Sequence, residues 1–104
     1  MAQVFTIAAS DNILKNMFKL GGIIKKDNRI IAEAVVTDGC ETKSRTKKVL
    51  DCLNEICMEL NLQVPIWLDC QIREFQRSSR TSFGRDSFIE ETDFDFLEIQ
   101  VLEE

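Results

Sequence analysis

The sequence predicts an α+β fold of order ββααβ. A β-hairpin is followed by two consecutive helices and a C-terminal strand. The three strands form one antiparallel sheet, with both helices packed on one face. Three patterns predict this. Apolar residues alternate before the polar Lys26-Asp27-Asn28-Arg29 and a run of β-branched and small residues follows it, apolar residues recur at a 3,4 spacing from Val49 to Leu60, and a strand pattern returns near the C-terminus.

Phe18, Leu20 and Ile24 share one parity and Lys19 and Lys25 the other, which reads as a half-buried strand over Phe18–Lys25. Arg29–Thr37 is rich in β-branched and small residues and reads as its partner, with the turn at Asp27-Asn28. Gly21-Gly22 inside the first strand marks a bulge or a close backbone approach. Asp38-Gly39 ends the hairpin.

Thr42 to Leu62 reads as the first helix, because Val49, Leu50, Leu53, Ile56, Cys57 and Leu60 gather on one face. Asn61 and Pro65 bracket its end. Pro65-Ile66-Trp67-Leu68 is an apolar connector whose single Trp anchors the helices to the sheet. Asp69 is the expected N-cap of a second helix, Cys70 to Phe83, ended by Gly84. Its apolar stripe is Ile72, Phe75, Ser79 and Phe83; beside it run Arg73, Arg77 and Arg80. Phe94–Leu102 reads as the last strand. Phe94 and Phe96 have one parity and Leu97, Ile99 and Val101 the other, so either a bulge lies near Phe96-Leu97 or the phenylalanines belong to the entering loop. The strand could pair with either strand of the hairpin. If it lies at an edge, its acids also guard against edge-to-edge association.

Residues 1–16 form an arm of uncertain structure, either an appendage or an upstream extension. Val4, Phe5 and Ile7 could begin a strand, and Ser10-Asp11-Asn12 could cap a helix. Residues 17–104 form a single domain. At 104 residues the chain is near the commonest domain size and long enough to bury a core without staples.

Charge is divided along the chain. Asp86 to Glu104 holds eight acids and no base, while the residues before it hold thirteen bases and ten acids. The formal charges of the two parts, −8 and +3, make up the chain's −5. The helix dipole prefers acids first and bases last. The first helix reverses this order, with Lys43, Arg45, Lys47 and Lys48 ahead of Asp51, Glu55 and Glu59. An i,i+4 pair, Lys47–Asp51, relieves part of the conflict. The remainder is either screened by solvent or marks an anion-facing patch.

A second basic group, Arg73, Arg77, Arg80 and Arg85, is interleaved with Ser78, Ser79, Thr81 and Ser82. Arginine forks and hydroxyls suit a phosphate or carboxylate, so these four are the candidate anion- or partner-binding residues. Pairing with the acids just downstream, Asp86, Glu90, Glu91 and Asp93, is the leading alternative. Nucleic acid is disfavoured as a partner by the acidic net charge.

The four cysteines, Cys40, Cys52, Cys57 and Cys70, lie 12, 5 and 13 positions apart. This spacing matches no structural zinc motif, and the chain has no His. The cysteines read as reduced thiols acting as small hydrophobes. With no His, every His-based catalytic scheme is excluded. Cys70 is the one candidate nucleophile, since a helix N-terminus lowers a thiol pKa, although Asp69 beside it opposes this. No catalytic, metal or cofactor residues are assigned, and no Gly-rich phosphate loop is present. There is neither a signal peptide nor an apolar run that would span a membrane, so the expectation is a cytoplasmic protein without membrane association.

Met17-Phe18-Lys19-Leu20, Pro65-Ile66-Trp67-Leu68-Asp69 and Phe94-Asp95-Phe96-Leu97-Glu98-Ile99-Gln100-Val101 together resemble small bacterial proteins of uncharacterised function. The resemblance covers Met17 to the C-terminus. It implies no activity and supports taking Met17 onward as the folded unit. The expected function is a small non-enzymatic protein–protein interaction domain, self-association included. The alternatives are an anion- or nucleic-acid-binding module using the arginine stripe of the second helix, and a thiol enzyme using Cys70.

Overall fold

The computed structural model describes residues 17–104. The expectations for residues 1–16, strand or capped helix, lie outside the described residues. The elements are β1 (Phe18–Lys26), β2 (Arg29–Asp38), α1 (Arg45–Glu59), α2 (Asp69–Ser78), β3 (Arg80–Phe83), a 3-10 turn (Arg85–Ser87) and β4 (Phe96–Glu103). The α+β class is as expected, but the sheet formed by the described residues has four strands rather than three, in the order β2-β1-β4-β3. All neighbours are antiparallel.

The hairpin follows from its turn. Asp27 and Asn28 have φ values of 54° and 66°, the paired left-handed conformation of a two-residue turn whose twist suits the strands. Phe18, Leu20, Gly22 and Ile24 are buried on one face, where they meet Ala34 and Val36 of β2. Gly22 is a close-approach glycine lying directly beneath Ile56 of α1. β4 pairs with β1, placing Leu97 and Ile99 on the same buried face. It is therefore an interior strand.

Ser44 begins α1, its hydroxyl accepting the backbone N–H of Lys47 at 3.1 Å. Val49, Cys52, Leu53, Ile56 and Cys57 are the buried stripe. Leu50, expected among them, is 42% exposed.

The second helix is shorter than expected, and this is where the fourth strand arises. α2 ends at Ser78 because Ser79 turns into the left-handed region, with φ 60°. Ser78 to Ser82 is also a run of weak helix formers broken only by Arg80. Beyond Ser79 the burial period changes from helical to two: Thr81 and Phe83 are buried, while Arg80 and Ser82 alternate with them. β3 then pairs Thr81 with Ile99 and Phe83 with Leu97. Leu68, rather than Asp69, is the N-cap of α2, and its N–H is accepted by the Gln71 side chain at 2.8 Å.

The connector and the loop after β3 close the end of the core opposite the α1 N-terminus. Trp67 meets Phe75 and Phe83 edge to face, with centroids 5.5 Å and 4.9 Å away, so the expected anchor joins α2 to β3. Its indole N–H is buried without an acceptor among the described residues. Phe94 belongs to the loop and stacks edge-on against Phe88 at 5.5 Å. Phe96 lies on the other face of β4 from Leu97, beneath the Lys25 ammonium at 5.9 Å from the ring centroid. The two parities of the C-terminal segment are resolved in this way, with the strand beginning at Phe96.

Candidate interaction surface

Both helices cover the face of the sheet that carries Leu20, Ile99 and Phe83. The opposite face is uncovered by any helix or strand among the described residues. Antiparallel sheets commonly expose one face, but such a face is usually polar. Here it is mixed. Val35, 52% exposed, faces Gly21 across the ladder, and the Leu102 side chain lies over Gly21 from β4, so these residues form one apolar patch. Lys19, Lys25, Glu98 and Glu103 surround it as two ion pairs: Lys25–Glu98 at 3.3 Å and Lys19–Glu103 at 3.6 Å.

Among the described residues β2 is one edge of the sheet. It is ten residues long and has no Pro and no Lys. Native edges are usually blunted by brevity, Pro, inward charge or bulges. β2 has one such feature, a one-residue slip that leaves Ile31 unpaired between the Ile24–Ala32 and Lys25–Ile30 pairs. Ile30 and Ile31 are 57% and 53% exposed. The exposed apolar residues of the edge and the patch at Val35 thus belong to one strand. Sequence reading assigned this strand to the hairpin but gave it no functional role, because only the sheet order makes it an edge.

Arg73, Arg77 and Arg80 do not form one helical stripe, and the four candidate arginines lie on three elements. Arg73 and Arg77 lie on the exposed side of α2, opposite Phe75; Arg80 lies on β3 and Arg85 in the 3-10 turn. The early end of the helix separates them. Arg85 alone meets the acidic segment, with Nη2 3.6 Å from Asp95 Oδ1 and Nε donating to the Phe94 carbonyl at 3.3 Å. Arg73, Arg77 and Arg80 have no ion pair among the described residues. The C-terminal acids pair instead with Lys19, Lys25 and Arg45.

The reversed charges of α1 are met in part by residues outside the helix and in part within it. Arg45 Nε donates to Glu104 Oε1 at 2.7 Å, and its Nη2 reaches Ser79 Oγ at 3.0 Å. The guanidinium also lies over the Phe75 ring, 5.6 Å from its centroid. Lys43 stands between Asp38 and Asp51, 2.7 Å from each, and Lys47 reaches Asp51 at 3.3 Å. Lys48, Glu55 and Glu59 have no ion pair among the described residues.

Burial pushes the Cys52 thiol up to about 12 and the Cys57 thiol up to about 11, as expected for inert core thiols. Cys70 is exposed in the first turn of α2. Cys40 is bonded to the Thr42 hydroxyl at 3.2 Å, which lowers its thiol below the ordinary value. Among the described residues no three His, Cys, Asp or Glu side chains converge as a metal ion would require. An open cleft of about 550 Å³ lies over Phe88 and Phe94, rimmed by Glu90, Glu91 and Asp93. Gln63 holds its wall through two hydrogen bonds to the Glu90 backbone. No helix among the described residues is long and apolar enough to cross a membrane.

Comparison with protein-family models, curated proteins and solved structures gave no significant match.

Proposed function

We propose that the chain is a small non-enzymatic interaction domain that binds protein through the edge strand β2 and the apolar patch beside it. The observation that carries this reading is the exposure of Ile30, Ile31 and Val35 along an edge strand ten residues long whose outer side has no neighbour among the described residues. Main-chain groups at such an edge supply hydrogen bonds to an added strand, and alternate side chains supply selectivity. The test is affinity capture from a lysate of the source cells, comparing wild type with Ile31→Lys/Val35→Lys. The expected result is a protein retained by the wild type, a second copy included, and lost by the variant. Equal capture by both, or none by either, overturns the reading.

A second reading, an anion- or nucleic-acid-binding module, draws on Arg73 and Arg77, which stand exposed without an ion pair among the described residues. Its test is binding to a generic oligonucleotide as salt rises. A phosphate-binding surface loses affinity steeply with salt. No binding in dilute buffer removes this reading.

A further inference from the structure

We infer that the partner of β2 is a second copy of this chain, joined by antiparallel pairing of β2 with its own copy about a twofold axis. The inference rests on the interaction reading above and names its partner.

The first argument is spacing. α1 packs over β1 and β2. Strands lie about 4.8 Å apart, so joining two copies through β2 sets the two α1 axes about 10 Å apart, the packing distance of neighbouring helices. The joined sheet therefore brings α1 beside its copy at the spacing of packed helices, and the twofold makes the two helices antiparallel.

The second argument is charge. At about 100° per residue, Lys48, Glu55 and Glu59 fall within about 40° of one another on α1. They form a flank with a base in its first half and acids in its second. This flank overlooks β2: beside it on α1, Asp51 is joined through Lys43 to Asp38, the last residue of that strand. None of Lys48, Glu55 and Glu59 has an ion pair among the described residues. An antiparallel α1 neighbour centred near Asn54 places Lys48 of each copy against Glu59 of the other, with Glu55 one turn away, so each flank is complementary to itself. The charge order that opposes the helix dipole within one chain becomes favourable between two.

The third argument is register. Ile56 lies above Gly22, and Gly22 faces Ala34. Ile56 belongs to the last turn of α1, so at about 1.5 Å per helical residue and about 3.3 Å per strand residue an axis at Ala34 sets Glu55 against its own copy, whereas an axis at Val35 lies level with the helix near Asn54 and sets Lys48 against Glu59. That register also keeps Glu33 from facing its own copy, which an axis at Glu33 would not.

The experiment uses the full chain in sedimentation equilibrium across the micromolar range, with Lys48→Glu and Glu55→Lys/Glu59→Lys as variants and far-UV circular dichroism to confirm folding. The wild type is expected to dimerise. Each variant alone sets like charges together at both symmetric contacts and is expected to weaken the dimer about tenfold or more. An equimolar mixture of the two variants makes both contacts attractive again and restores near wild-type affinity, an effect that added salt reduces. A wild type that stays monomeric, or a dimer indifferent to both variants and their mixture, overturns the inference. The capture experiment separates the two failures: a monomer that still retains another protein through Ile31 and Val35 removes self-pairing alone, while a monomer that retains none removes the interaction reading as well.

Discussion

Ile56 stands over Gly22 so closely that a Cβ on the glycine would come within 2.8 Å of Ile56 Cγ2. Both residues are buried, and Ile56 is β-branched with few alternative rotamers. Gly22→Ala is therefore expected to push α1 off the sheet and destabilise the fold by about 1–3 kcal/mol. Gly21→Ala meets only Leu102 Cδ1, at 3.0 Å, on a side chain that is 46% exposed and able to swing away. Its expected effect is within about 0.5 kcal/mol of wild type. Urea denaturation of the two variants checks the contrast.

Asp95 fastens the hairpin turn to the sheet. Its carboxylate accepts the Asp27 N–H at 2.9 Å, while its own N–H donates to the Lys25 carbonyl at 2.9 Å. Asp95→Ala removes the first bond and the Arg85 contact, with an expected cost of about 1 kcal/mol. Hydrogen exchange gives the specific readout, since the Asp27 amide should exchange faster in the variant. Unchanged protection at Asp27 would show that the bond contributes nothing in solution.

Lys43 makes stability pH-dependent at both extremes. Burial works to raise Asp38 but is outweighed by the Lys43 bond, the Cys40 N–H and the Lys43 and Lys48 charges, which hold it below its ordinary 3.8. Asp51 is lowered chiefly by its own bond to Lys43. Lys43 is raised above 10.5 by its bonds to both carboxylates. Stabilisation by the carboxylates is thus full above 3.8 and is lost as pH falls through their lowered folded values. Stabilisation by Lys43 is full below 10.5 and is lost as pH rises through its raised folded value. Lys43→Met is expected to shrink both losses. Urea midpoints across the acid and alkaline ranges measure this.

The thiols should divide by burial. At neutral pH a thiol probe is expected to label Cys40 and Cys70 in the folded protein, and Cys52 and Cys57 only once it unfolds, because burial holds the latter two protonated and inaccessible. Mass spectrometry of labelled peptides against urea resolves the four. Labelling of Cys70 no faster than that of a model peptide thiol removes it as a candidate nucleophile.

How much of this could be read from the chain differs from element to element. The hairpin and α1 were legible because their signals are local: Asp27-Asn28 supports left-handed backbone, and the Val49-to-Leu60 spacing has only one face to bury. β3 was hidden because Ile72, Phe75, Ser79 and Phe83 continue a helical spacing past the point where the helix stops. What separates them is the left-handed turn at Ser79 together with the vacant side of β4, which Thr81 and Phe83 can cover. The same misreading drew Arg80 into a stripe with Arg73 and Arg77.

The sequence by itself determined which segments form a hairpin, that α1 has one apolar face, that Cys57 is a core thiol, and that charge is divided between the body and the C-terminal segment. Each of these depends on neighbours within a few residues. Only the tertiary structure decided that β4 lies inside the sheet, that its acids meet Lys19, Lys25 and Arg45, and that β2 is left as an edge with Ile31 and Val35 exposed. Those outcomes depend on strand order. Strand order is set by pairing between residues far apart in the chain, so no local spacing encodes it.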